Sequence, residues 1–260
     1  MAQLKINLEQ GNGFFYAHAT EFLGCFAKAT SRSEVIDSIL KDVKIYSEWL
    51  LKKEISNEYI EKAKNFMTGI NELEIVEEQV DIQNLEDPKS SGALFDSDKK
   101  PISEEQLEFY ISLIKSLPDL LLKMVFPLSA ENFDLEIIKG KPTIEQILTE
   151  IYNVLLFYIS KFGPEVEQNF FDTIDLTKDE VESLSVLERV IKIQQGAIAT
   201  LRLYYPKFNE KIFPIAGHPE EIWTIKKVIR KIIEFERECI EIIRDLVEKI
   251  KTNLPEDLEK

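Results

Sequence analysis

At four helix starts read from this chain a Ser or Thr is followed three residues later by Glu or Gln, just ahead of an apolar run. The pairs are Ser31 and Glu34, Ser103 and Gln106, Thr143 and Gln146, and Thr177 and Glu180. At that spacing each side chain can satisfy a free backbone donor of a helix's first turn, so the pairs mark where helices begin. After Ser31, residues Val35, Ile36, Ile39, Leu40, Val43, Tyr46 and Leu50 form an apolar stripe at helical spacing. Further helices are predicted over Glu58–Met67, Ser103–Phe126, Thr143–Phe162, Lys178–Tyr205 and Pro219–Lys251. The last is expected to open at Gly217-His218-Pro219, because proline suits a first turn, where no amide donor is needed. Pro118 predicts a kink or break in the helix that starts at Ser103. With no strand pattern between the long helices, an antiparallel bundle is expected.

The beginning of the chain has a different period. From Gln3 to Glu9, Leu4, Ile6 and Leu8 alternate with Lys5, Asn7 and Glu9, the pattern of a half-buried strand. Gly11-Asn12-Gly13 is a hairpin turn signal. Strands are expected at Phe14–Ala19, Gly24–Ala29 and Leu73–Val80. Asp87-Pro88-Lys89-Ser90-Ser91-Gly92 is rich in structure breakers and is the best linker candidate. The expected class is α+β: a small sheet-plus-helix domain over residues 1–85, a linker over 86–102 and an all-α four-helix bundle over 103–255.

Composition narrows the function classes. Asp plus Glu number 47 against 32 Lys plus Arg, a net charge of −15. An acidic surface repels phosphate, so nucleic acid and anionic membrane are poor partners. There is no membrane-length apolar run and no secretory leader pattern. The 2 cysteines, Cys25 and Cys239, lack a metal-type spacing. A reduced, cytoplasmic setting is expected. No phosphate loop, nucleophile elbow or basic aromatic face is present, and no cofactor is expected.

Individual residues get plain readings. In the last helix, Ile225, Ile229, Ile232, Glu236, Cys239 and Ile243 form a stripe with Glu236 as its only charge. A carboxylate there must find a donor or stay near solvent; Arg202 is a candidate partner. Glu234 and Glu238 read as a solvated acidic face. Lys226, Lys227, Arg230 and Lys231 read as its solvated basic counterpart. His18 reads as a sheet-surface histidine, His218 as a helix-start residue and Cys239 as a core cysteine with an inert thiol. Tyr204, Tyr205, Phe170 and Phe171 read as helix-end packing.

Three passages resemble the DinB/YfiT-like family of four-helix bundles: Thr143-Ile144-Glu145-Gln146-Ile147-Leu148-Thr149-Glu150-Ile151, Trp223-Thr224-Ile225-Lys226-Lys227-Val228-Ile229-Arg230 and Phe235-Glu236-Arg237-Glu238-Cys239. The resemblance covers roughly Ser103 to Lys251. Up to about Leu50, Gly13-Phe14-Phe15-Tyr16-Ala17-His18-Ala19 and Gly24-Cys25-Phe26-Ala27-Lys28-Ala29-Thr30, followed by the capped helix, resemble a HicB-like antitoxin domain. Metal-binding DinB-like proteins use one histidine on the second bundle helix and an H-x-x-x-H pair on the fourth. The matching positions here are Glu150, Phe235 and Cys239, none of them histidine. Glu150, Phe235, Cys239 and Glu236 are therefore pocket candidates, with no metal expected.

The resemblance implies a non-catalytic binding or interaction protein with a degenerate metal site. It is expected to self-associate and to meet a protein partner through residues 1–85. One alternative is a metal-dependent enzyme of DinB type, a thiol-dependent transferase or hydrolase-like protein with a relocated site. Another is a HicB-like regulator.

Overall fold

The computed structural model describes residues 2–52, 58–215 and 218–253. The chain opens with strands β1 (Ala2–Gly11), β2 (Phe14–Ala19) and β3 (Phe26–Ala29). Helices α1 (Arg32–Leu51) and α2 (Glu58–Thr68) and strand β4 (Ile70–Gln79) follow. The sheet order is β3-β2-β1-β4, with β1 antiparallel to β2, β2 antiparallel to β3 and β1 parallel to β4. Asn12 and Gly13 take φ of 51° and 80°, the two positive values a tight hairpin turn requires.

Both faces of this sheet are covered. Leu4, Ile6 and Leu8 are fully buried on the side of α1, where Val35, Ile39 and Val43 are also fully buried. The alternate side chains Asn7 and Glu9 are buried as well. The half-buried strand expected from the alternation is therefore corrected at Asn7 and Glu9, which pack inward against the rest of the chain, while Lys5 stays exposed.

Residues 86–103 contain no helix or strand, yet Phe95 and Asp98 within them are buried. The helical part follows: α3 (Glu104–Val125), α4 (Ile144–Ser160), α5 (Pro164–Thr173), α6 (Lys178–Ser183), α7 (Val186–Phe208), β5 (Phe213–Ile215), β6 (His218–Trp223) and α8 (Ile225–Asn253). Helices α3, α4, α7 and α8 form a four-helix bundle in which α3 and α4 each pack on both α7 and α8. The capping boxes at Ser103, Thr143 and Thr177 all form. No helix among the described residues is long and apolar enough to cross a membrane.

Four expectations about the helical part need correction. The helix foreseen from Lys178 to Tyr205 is two, because Leu184 is extended and Ser185 with Glu188 makes a further capping box. The helix foreseen from Pro219 starts later: His218 and Pro219 lie in β6, paired with β5, and the Thr224 hydroxyl accepts from the amide of Lys227 to start α8. Gly217 lies outside the described residues. Helix α5, opened by Gly163 and Pro164, was not foreseen. Finally, α3 runs on through Pro118 without a break. Proline has no amide hydrogen to offer the carbonyl one turn back. That carbonyl, on Ile114, accepts instead from the Gln194 side chain of α7 at 3.1 Å.

Candidate functional site

Helix α8 joins the two parts of the molecule, and its charges do the joining. Arg230 forms a two-pronged pair with Asp98 (Nε–Oδ1 3.1 Å, Nη2–Oδ2 2.8 Å). It also donates to the Ala93 carbonyl and to Glu234, and lies over the ring of Phe95. Lys227 donates to the carbonyls of Gly92 and Ile222 and sits over Trp223. Burial, then the charges of Arg230 and Lys231, push its pKa down to about 7. The basic and acidic faces read as solvated are thus corrected: Lys227, Arg230, Lys231 and Glu234 are all buried.

His18 is corrected too. It is buried between two carboxylates, with Nδ1 2.7 Å from Glu234 Oε1 and Nε2 2.9 Å from Glu9 Oε1. Burial opposes its charge, but the attraction of Glu234 and the two hydrogen bonds outweigh burial and raise its pKa. Glu9 and Glu234 are depressed despite burial, by Lys231, His18 and Arg230 around Glu9 and by His18 and Arg230 around Glu234. Glu9 Oε2 accepts from the amide of Ala93 at 2.6 Å. Farther along α8, Arg237 pairs with Asp42 of α1 and donates to the Gly24 carbonyl.

Beside this network lies a cavity of about 240 Å³. Gln146, Ile147, Glu150 and Tyr158 of α4 form one wall, and Lys231, Phe235, Glu238, Cys239 and Ile242 of α8 another. Tyr16 and Phe26 of the sheet and the Leu85–Pro88 segment close it. The Tyr158 hydroxyl donates to the Pro88 carbonyl and holds that segment down. At the rim, Glu150 lies 3.7 Å from Lys89, and Glu238 pairs with Lys28.

Of the residues singled out from the sequence, Glu150, Phe235 and Cys239 meet in this cavity. Glu236 does not line it. It points to the other side of α8, where Gln194 Nε2 donates to its Oε1 at 2.6 Å. The suggested partner Arg202 instead forms a surface pair with Glu108. Burial raises the Glu236 pKa to about 8 against the Gln194 hydrogen bond, which lowers it. His218 is exposed on β6. Cavity residues missed in the sequence include Lys231, Tyr16, Phe26 and Tyr158. Lys231 was findable, because it precedes Phe235 by four positions and Cys239 by eight, on one helical stripe.

Glu150, Phe235 and Cys239, the positions that the sequence resemblance matches to metal ligands, do not fit a metal ion. Phe235 has no donor atom. Burial, followed by the negative charges of Glu236 and Glu150, holds the Cys239 thiol well above its ordinary pKa, away from the thiolate that a metal needs. Glu150 faces Lys89. Among the described residues no group of three or more His, Cys, Asp or Glu side chains is disposed to hold a metal.

No protein-family profile matches the chain, and no curated protein matches it. Among solved structures it is similar to YfiT from Bacillus subtilis, described as a probable metal-dependent hydrolase with an unusual four-helix bundle topology. The identity is 18%, the TM-score 0.41, and the match covers 58% of this chain and 90% of that one.

Proposed function

We propose that this protein is a non-catalytic binding protein, in which the cavity between α4, α8 and the sheet holds a small molecule instead of an ion. The observation that carries this reading is the phenylalanine at position 235, in the cavity wall where the resemblance puts a ligand histidine. The other chemical groups near the cavity are already engaged. Glu234 is held by His18 and Arg230, Glu150 and Glu238 have lysine partners, and Cys239 stays a thiol. The sheet unit acts as the cavity's lid and as the surface a protein partner would meet.

Metal analysis of untagged protein tests this. Zn, Ni and Mn are expected well below one ion per chain and unchanged in Glu150→Ala. A stoichiometric metal that Glu150→Ala removes would restore the enzyme reading.

A further inference from the structure

One cation in the cavity wall has no fixed acceptor, although its charge acts on Glu9 and Glu234. Lys231 is only 8% exposed, yet among the described residues it makes no hydrogen bond and no ion pair. Its neighbours are committed elsewhere. The oxygens of Glu9 accept from His18 and the Ala93 amide, and those of Glu234 from His18 and Arg230. Lys227 and Arg230, on the same helix and more deeply buried, each have fixed acceptors. The space next to Lys231 is the cavity, which it lines.

Resting on the binding reading above, we infer that the cavity's ligand is a small carboxylate with an apolar body, its carboxylate on Lys231 Nζ and its hydrocarbon against Ile147, Phe235 and Ile242. The carboxylate supplies the acceptor that the protein leaves out. The apolar stripe beyond Lys231 on α8 and its counterpart on α4 supply the contact for the body. Glu150 and Glu238 face lysines, Glu86 accepts from the Asn12 side chain and Asp87 from the Lys89 amide, and Lys231 is the one cation among the described lining residues.

Three eight-carbon probes that differ only in headgroup test it: octanoate, octan-1-ol and octylammonium, titrated calorimetrically into the full chain at pH 7. Octanoate is expected to bind about tenfold or more tighter than octan-1-ol, the size of one charge-assisted hydrogen bond. Lys231→Met should remove that preference while octan-1-ol binding persists, and Lys231→Arg should retain part of it. Ile147→Trp, which fills the cavity, should abolish binding of all three. Equal binding of octanoate and octan-1-ol, tighter binding of octylammonium, or an unchanged preference in Lys231→Met overturns the inference and leaves the binding reading standing. Failure of all three probes overturns both. If Lys231→Met does not fold, the wild-type comparison of headgroups decides alone.

Discussion

Glu236 is held where a charge is least welcome, and its surroundings explain why it is tolerated. Pro118 frees the Ile114 carbonyl, Gln194 reaches across to satisfy it, and the same Gln194 nitrogen donates to Glu236. The other oxygen, Oε2, has no partner among the described residues. The neutral acid is the form this site favours, with a pKa near 8. A carboxyl raised in the folded state gives stability below its unfolded pKa that is lost as pH rises to the folded one. Between about pH 4.5 and 8 the loss is roughly 1.4 kcal/mol per pH unit. The His18 contribution runs the same way, present below pH 6.5 and lost as pH climbs through its raised folded value. Glu9 and Glu234 run opposite, present above about pH 4.5 and lost on acidification. Melting temperature should therefore peak in mildly acidic buffer. Glu236→Gln should flatten the alkaline side and melt higher than wild type at pH 8; an unchanged slope in a pH series of thermal melts would show that the site is charged at neutrality.

Helices in this molecule end and begin where local hydrogen bonding dictates, but their spacing is set by side-chain fit. Helix α5 lies against α7 through Phe170, fully buried, over Gly196. A Cβ added at Gly196 would sit 2.4 Å from the Phe170 ring. Alanine there gains up to about 1 kcal/mol of helix propensity but overpacks a filled contact, at about 1–3 kcal/mol. Gly196→Ala should thus lower the melting temperature by a few degrees, and Phe170→Leu added to it should recover part of the loss. Stabilisation by Gly196→Ala alone would mean that α5 can move away from α7 at little cost. Capping-box spacing located the starts of α1, α3, α4 and α6 but was silent about such contacts. The same spacing at Ser185 and Glu188 marks the start of α7, inside the span expected as one helix from Lys178 to Tyr205.

Across the whole molecule, buried apolar side chains run as one cluster from Leu4 in the sheet to Ile250 in α8. Ion pairs tie α8 to the sheet unit at His18–Glu234 and Asp42–Arg237, and to the segment before α3 at Asp98–Arg230. Breaking such a pair leaves an uncompensated charge, at about 3–5 kcal/mol, so neither part can separate without loss to the other. Calorimetry should show one cooperative transition, with near-ultraviolet dichroism and tryptophan fluorescence melting together. Trp49 lies in α1 and Trp223 beside α8, so two separated transitions would be visible and would mean that the sheet unit unfolds independently.

The sequence by itself determined the α+β class, the hairpin at Asn12-Gly13, most helix starts and the meeting of Phe235 with Cys239 on one stripe. Those features are local, set by backbone dihedrals, caps and periods of two and 3.6 residues. It could not show that Asn7 and Glu9 of β1, His18 and the basic run of α8 are buried together. Alternating or clustered polar residues read the same whether water or another charged surface lies opposite. Only the docking of the sheet on α8 decided that Glu9, His18, Glu234 and Arg230 satisfy one another and that Lys231 lies beside a cavity without a fixed acceptor.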